Sequence, residues 1–400
     1  MNTRIFSSAT EVPWEDWDAV SSQTDTLWSK DFLQAIEESA DKDLHPYYIL
    51  IYEDHRPIFC AYFQQVEFAT SRIKAFTQDL DSKGSIRKWL FYRVSDIARR
   101  LVQLFRFRIL VNGNSLVTNN NGFRAAKHIP ANRHQELLTL SIQELASNIP
   151  RSTGFLIKDV ILHSEGQQNE WDTYWSKKGY HKFLPDPEML VHLPSSWSAW
   201  EDYLGAMSSK YRQRAKSAYK KSKHIQHREL SLEELQQYET TLFSLFQQVI
   251  AKETFSLSEI DSTYFVHLKK ALQEKFIVHG YFIEDQLIGF TSHILSETVP
   301  VTHFVGFDSS QNQPNKLYQR MLYDQIQLSL GYKKDHALTL SLGRTAMEIK
   351  SAVGAVPQAG PCYLHLCPRW MNVLAGPIMS NLKLEAWTPR NPFKAPIAIS

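Results

Sequence analysis

Two stretches of this chain repeat one pattern, and the repetition constrains the fold more than any other feature. "YYILIYEDHRPIFCAYFQQVEF" from Tyr47 and "FIVHGYFIEDQLIGFTSHILSE" from Phe276 each run alternating apolar residues into Glu-Asp and resume two or three residues later. Period-two apolar residues lay one face on a core and the acidic pair reverses the chain, so each stretch reads as a β-hairpin. The turns, at Glu53-Asp54 and Glu284-Asp285, lie 231 positions apart. That spacing is too long for a solenoid and fits duplication of a domain of about 200 residues.

Helical and strand-like segments alternate around each hairpin. "DIARRLVQLF" leads to "RILVNGN" and "HQELLTLSIQELASNI" to "TGFLIKDVIL" in the first half, and "NKLYQRMLYDQIQLSL" leads to "HALTLSLG" in the second. Two α/β domains with mixed sheets follow. Between them Pro185, Pro187 and Pro194 interrupt regular structure, which sets the expected boundary at Pro194, with domains 1–193 and 194–400. A hydrophobic content of 43% can fill two cores, and 44 Lys plus Arg against 42 Asp plus Glu removes any whole-chain argument for a polyanionic partner. Three cysteines, Cys60, Cys362 and Cys367, are too few for a disulfide framework, and no apolar run approaches the ~18–20 residues of a spanning helix. The expectation is a cytoplasmic chain without a transmembrane segment.

Charge is concentrated locally after the boundary. From Trp200, the residues Tyr203, Leu204, Met207, Tyr211, Ala215 and Ala218 recur at helical steps and predict one helix with a buried face. The same segment carries Lys210, Arg212, Arg214, Lys216, Lys220, Lys221 and Lys223 with no acidic residue among them. Like charges at i,i+4 repel, so this helix needs anions against it. Those are either a phosphate-bearing ligand such as tRNA or a lipid headgroup, or acidic neighbours elsewhere in the fold.

Near the C-terminus "SLGRTAMEIKSAVGA" reads as a strand end, a turn at Gly343-Arg344, and a helix with Thr345 and Glu348 as a capping box. A helix starting at a strand end can bind an anion, with Arg344 and Lys350 as added cations. Upstream, "VPVTHFVGFD" places His303 on the face of a strand shared with Val301 and Val305, a position that suits a core histidine as well as a base. Pro314 is expected at the first position of the next helix, which puts Lys316 and Tyr318 in its first turn. "CYLHLC" does not make a metal site, because Cys362 faces away from His365 and Cys367 on a strand. The motifs of serine hydrolases, zincins, P-loop and Rossmann proteins do not occur.

The run from "THFVGFD" through "KLYQRMLYDQIQLSLGYKKDHALTLSLGRTAMEIKSAVGA" resembles the C-terminal half of bacterial N-acyltransferases of the GNAT superfamily, close to the Fem peptidoglycan aminoacyltransferases. "MSSKYRQRAKSAYKKSK" is similar to the segment that opens their second domain. The likeness is strongest over residues 200–356. It implies two tandem GNAT-like domains, with the active site in the second near their junction. Ordinary members bind coenzyme A pyrophosphate through Q/R-x-x-G-x-G/A, whereas this chain has "SSQNQPNKLYQ", without either glycine.

By resemblance, Gln313, Asn315, Lys316 and Tyr318 belong to a donor loop, and Gly343, Arg344, Thr345 and Lys350 to a second strand-helix turn. From the charge run, Lys210, Arg212, Arg214 and Lys216 are the expected residues of an anion-binding helix. His303 is the first candidate for the base and Asp308 the second.

The implied reaction moves an acyl group from a thioester, acyl-CoA or acyl-carrier protein as co-substrate with no bound cofactor or metal, to the amine of an amino acid, an amino-acid-derived lipid or a related metabolite. Two alternatives stand beside it. One is a Fem-like aminoacyl-tRNA-dependent transferase of cell-wall synthesis, and the other a non-catalytic module binding an anionic lipid or polymer. Both admit peripheral membrane contact.

Overall fold

A computed structural model of the chain describes residues 1–21, 25–39, 44–69, 106–118, 120–162, 164–251, 260–296, 299–333, 335–380 and 386–397. The "DIARRLVQLF" segment lies outside them. In the first half the chain forms strand β1 (Asn2–Phe6), helices α1 (Trp14–Ser21) and α2 (Lys30–Ser39), then strands β2 (Leu44–Glu53), β3 (Arg56–Ala69), β4 (Arg106–Asn112) and β5 (Phe123–Ala125). Helix α3 (Ala131–Asn148), strand β6 (Gly154–Ile157), helix α4 (Glu165–Lys177) and strand β7 (His181–Phe183) complete it.

The second half follows as strand β8 (Glu188–Leu193), helices α5 (Trp200–Ala206) and α6 (Ser209–Lys221), strand β9 (Gln226–Glu229) and helices α7 (Leu232–Gln237), α8 (Glu239–Ile250) and α9 (Tyr264–Leu272). Then come β10 (Phe276–Ile283), β11 (Gln286–Ile294), β12 (Val301–Phe307), α10 (Ser309–Asn315), α11 (Leu317–Tyr332), β13 (Leu338–Ser341), α12 (Met347–Ser351), β14 (Val356–Gln358), β15 (Cys362–Leu366) and α13 (Arg369–Ser380).

The repeated hairpins are β2–β3 and β10–β11, with left-handed residues in both turns, Asp54 and His55 in one and Glu284 in the other. Each is bulged just before its turn, at Ile51/Tyr52 and at Tyr281/Phe282. The sheets repeat the same plan. The first runs β1-β2-β3-β4-β6-β15-β7, with β5 on β3, and the second, read from its other edge, runs β9-β10-β11-β12-β13-β8-β14.

In this correspondence β8 and β15 have changed places. Each half sends the strand that follows its own edge strand into the other half's sheet, where it pairs antiparallel on both sides. The sheets therefore do not divide at Pro194 as expected from the sequence. Glu188–Leu193 lies in the second sheet and Cys362–Leu366 in the first, because each fills a gap between two strands that would otherwise expose ladder groups.

Both faces of the first hairpin are buried, so it is apolar at nearly every position. Ile49, Ile51, Phe59, Ala61 and Phe63 pack on α3 and α4, while Tyr48, Leu50, Tyr52, Cys60 and Tyr62 point the opposite way. That second face joins α1, α2, α8 and α9 and the inner residues of β10 and β11 in one continuous core, including Trp17, Phe32, Phe265 and Phe290. The far face of the second sheet carries α6 and α11, with Met189, Leu340, Tyr203, Ala215 and Ile326 between them. No helix among the described residues is long and apolar enough to cross a membrane.

The helix expected to run unbroken from Trp200 is two helices. Met207 is extended, bridges Phe393, and is followed by a Ser208 N–H that donates to the Pro392 carbonyl at 2.8 Å. Pairing with the C-terminal segment replaces the helical hydrogen bonds at that point, and all seven cations fall after the break.

Candidate active site

The two sheets differ where their central strands run parallel. In the first, β4 and β6 stay paired over four positions, from Ile109↔Gly154 to Asn112↔Ile157. In the second, β12 and β13 meet only at Val301↔Ser341; β13 then ends and the chain turns away at Gly343, so β13 does not accompany β12 beyond its first residue. The opposite side of β12 remains laddered to β11 up to Phe307. One face of β12 is sealed at Gly306, where an added Cβ would come within 2.7 Å of the Phe246 backbone nitrogen and 2.8 Å of the Leu245 carbonyl carbon. Among the described residues, no strand therefore pairs with the β13 edge of β12 beyond Val301, and the second sheet is open there, toward α10 and α11.

Asp308 ends β12 and starts α10. Its Oδ1 accepts from the Ser310 N–H at 2.8 Å, which satisfies one of the free donors of the helix start and makes Asp308 a cap. Pro314, expected at the first position of a helix, lies inside α10, since α10 begins five residues ahead of it. Lys316 breaks α10 from α11 in a left-handed conformation. The break is pinned by the Asn312 side chain, which accepts from the Tyr318 N–H at 3.0 Å. Gln313 is exposed, Asn315 is buried with its amide donating to Gln311 at 3.0 Å, and the Tyr318 ring lies 5.5 Å from that of Phe307.

The basic helix α6 packs on this break. Lys316 Nζ donates to Ser217 Oγ at 3.0 Å, and its ammonium is held below the usual lysine range by burial, then by the charges of Lys221 and Arg214. One buried carboxylate anchors the two helices. Asp324 on α11 accepts from both Arg320 Nε (2.8 Å) and the hydroxyls of Tyr219 (2.9 Å) and Tyr281 (3.1 Å), while the Arg320 guanidinium lies 4.2 Å over the Tyr219 ring. Among the described residues, none of Lys210, Arg212, Arg214, Lys216, Lys220, Lys221 and Lys223 forms an ion pair. Among the described residues, no carboxylate lies within ion-pairing distance of the run. Arg212 is half-buried, and Lys210, Arg214 and Lys216 are exposed.

The turn after β13 is built differently from expectation. Thr345 (φ +62°) and Ala346 (φ +48°) are both left-handed, no side chain caps α12, and Glu348 pairs with Arg390 instead of closing a capping box. Lys350 is buried, and its ammonium donates to the carbonyls of Gly343 (3.1 Å) and Arg344. Arg344 pairs with Asp159, in the corresponding turn after β6, and Asp159 also holds Lys158 Nζ at 2.7 Å. Burial drives the Asp159 carboxyl up, but Lys158 and Arg344 together hold it below its ordinary value. Arg344 thus locks the turn to the first half, and Lys350 braces the Gly343 and Arg344 carbonyls behind it.

Glu188, which the sequence reading passed over, belongs to the same lock. It is buried on β8 and accepts from Ser341 Oγ. A carboxylate just after Pro187 opening an apolar strand was the available signal.

His303 lies apart from the opening, toward the shared core. Its Nε2 is 2.6 Å from the Tyr264 hydroxyl with the rings stacked, and burial pushes its pKa down to about 3. The structure brings together Lys316, Tyr318, Asn315, Asp308 and the basic helix at one end of β12, while His303, four positions before Phe307 on that strand, stacks on Tyr264.

No protein-family model and no curated protein matches the chain. Solved structures do. The chain is similar to FemX at 10% identity and a TM-score of 0.53, over 94% of this chain and 100% of that one. It is similar to a tandem GNAT protein from the clavulanic acid biosynthesis pathway at 9% identity and a TM-score of 0.51, over 92% and 99%. The chain has a tandem GNAT-like fold. Within this GNAT-like plan the open parallel pair β12–β13 belongs to the second domain and the closed pair β4–β6 to the first.

Proposed function

We propose that the chain is an N-acyltransferase that moves an acyl group from a thioester donor to an amine, with the donor lying in the opening beside β12. The observation that carries the reading is the opening of the second sheet next to a cation cluster, Lys316, Arg214 and Lys221, without carboxylate partners among the described residues. A strand edge offers backbone N–H and C=O groups to an extended chain, and the cations suit its phosphates. The amine nitrogen attacks the thioester carbonyl, the C–N bond forms, the C–S bond breaks, and the thiol leaves with the proton the amine gives up. Holding the two reactants in line and stabilising the developing oxyanion supply most of the rate.

In this reading the amine enters neutral and loses its proton to solvent or to the leaving thiolate, since burial pushes the His303 pKa down to about 3 and Asp308 Oδ1 accepts from the Ser310 N–H. A second reading, an aminoacyl-tRNA donor of the Fem kind, is favoured by the length of the cation run, which extends along α6 from Lys210 to Lys221. The two separate in one experiment. The protein is incubated with acyl-CoA, acyl-carrier protein or charged tRNA and a panel of amines, and release of thiol or deacylated tRNA is followed. Turnover with a thioester supports the first reading, turnover with tRNA alone the second, and none with any donor refutes both.

A further inference from the structure

Helix α13 covers the β7–β15 edge of the first sheet with one face and leaves an apolar face uncovered. Its inner side is fixed: Asn372 Nδ2 donates to the Gly179 carbonyl at 2.8 Å, the Asn372 carbonyl meets His181 Nε2 at 2.8 Å, and Ala375 is buried. Its outer side shows Trp370, Val373 and Leu374 at 62%, 66% and 59% exposure. These positions are i, i+3 and i+4, which is one stripe of a helix. An amphipathic helix normally turns such a stripe toward a core. Here the polar residue Asn372 serves the fold and the apolar ones face outward.

The exposed charges that border the stripe are basic, while Asp172, which lines the same cavity as Gly376, is paired with Lys182 at 2.7 Å. No acidic residue occurs between Glu348 and Glu385, Arg369 is exposed beside Trp370, and Lys177 and Lys178 are exposed immediately before Gly179, which the helix contacts. An apolar stripe with Trp at one end and cations at its border matches the interfacial zone of an anionic bilayer, where the ring sits at headgroup level and the cations meet phosphates.

We propose that α13 docks the protein on an anionic membrane surface through Trp370, Val373 and Leu374. The proposal does not rest on acyl transfer, and its test reads no activity.

The full-length protein is mixed with vesicles of phosphatidylcholine and of phosphatidylcholine with about one third phosphatidylglycerol, and the bound fraction is measured by flotation. The wild type is expected to float with the anionic vesicles. Trp370→Ser/Val373→Ser/Leu374→Ser, at exposed positions that leave the core untouched, is expected to bind at least tenfold more weakly with an unchanged far-ultraviolet spectrum. Equal binding by the triple variant overturns the proposal and moves any lipid affinity to α6. A wild type that ignores vesicles but elutes as a dimer, with the triple variant a monomer, also overturns it, because a second copy of the chain then covers the stripe.

Discussion

Replacing Asp159 by Asn should destabilise the whole chain, and by more than replacing its partner Arg344. Asp159 is fully buried between Lys158 and Arg344, whose side chains are 6% and 18% exposed. Asparagine keeps the shape but leaves Lys158 without its carboxylate and Arg344 with only the more distant charge of Glu188, and removing one member of a buried ion pair costs about 3–5 kcal/mol. Arg344→Met leaves Asp159 with Lys158 and loses one charge-assisted contact, about 1.5–3 kcal/mol. The double variant should cost less than the sum of the singles, because no unpaired guanidinium then remains.

The assay is urea unfolding, read by tryptophan fluorescence and by far-ultraviolet circular dichroism. Both probes should shift together, because Asp159 follows a first-sheet strand and Arg344 a second-sheet strand. The carboxyl is held below its ordinary 3.8 in the folded chain, so its contribution is fully present above about pH 3.8 and is lost as pH falls through the folded value. The Asp159→Asn penalty should therefore be flat from pH 5 to 8. A penalty below about 1 kcal/mol, or a larger one for Arg344→Met, would refute this account of the lock.

Two further outcomes follow from the same geometry. His303→Gln should keep a wild-type pH–rate profile from pH 6 to 9, because a group pushed to about 3 does not titrate there; loss of an inflection in that range would restore His303 as a base. Gly354→Ala should lower the melting temperature by several degrees, since Gly354 has φ +97° and its Cβ would overlap the Phe393 ring; an unchanged melting temperature would show that the C-terminal segment gives way freely.

The fold was legible where local pattern decides it. The two hairpins, the strand-helix alternation and the duplication follow from apolar periodicity, and the structure repeats even the bulge before each turn. The exchange of β8 and β15 was not legible, since "EMLVHL" and "CYLHL" are apolar strands whichever sheet receives them.

The candidate site divides in the same way. Lys316 and the cations of α6 stand out in sequence because no acidic residue accompanies them, and no carboxylate among the described residues pairs with those of α6. Arg344 looked equally available, but its partner lies 185 positions away in the chain. Thr345 and Glu348 have the spacing of a capping box, yet two left-handed residues and Arg390 claim them. Spacing predicts a local contact well until a distant residue competes for the same group.

The most direct test of the account is equilibrium binding of an acyl-CoA to the wild type and to Lys221→Gln/Lys316→Gln, by calorimetry at fixed ionic strength. About 1.4 kcal/mol lost per cation predicts a Kd roughly a hundredfold weaker in the double variant, and a wild-type Kd that weakens when the titration is repeated at higher salt. Equal affinity in the two proteins, with the donor bound as tightly when both cations are gone, would contradict the placement of a thioester donor beside β12.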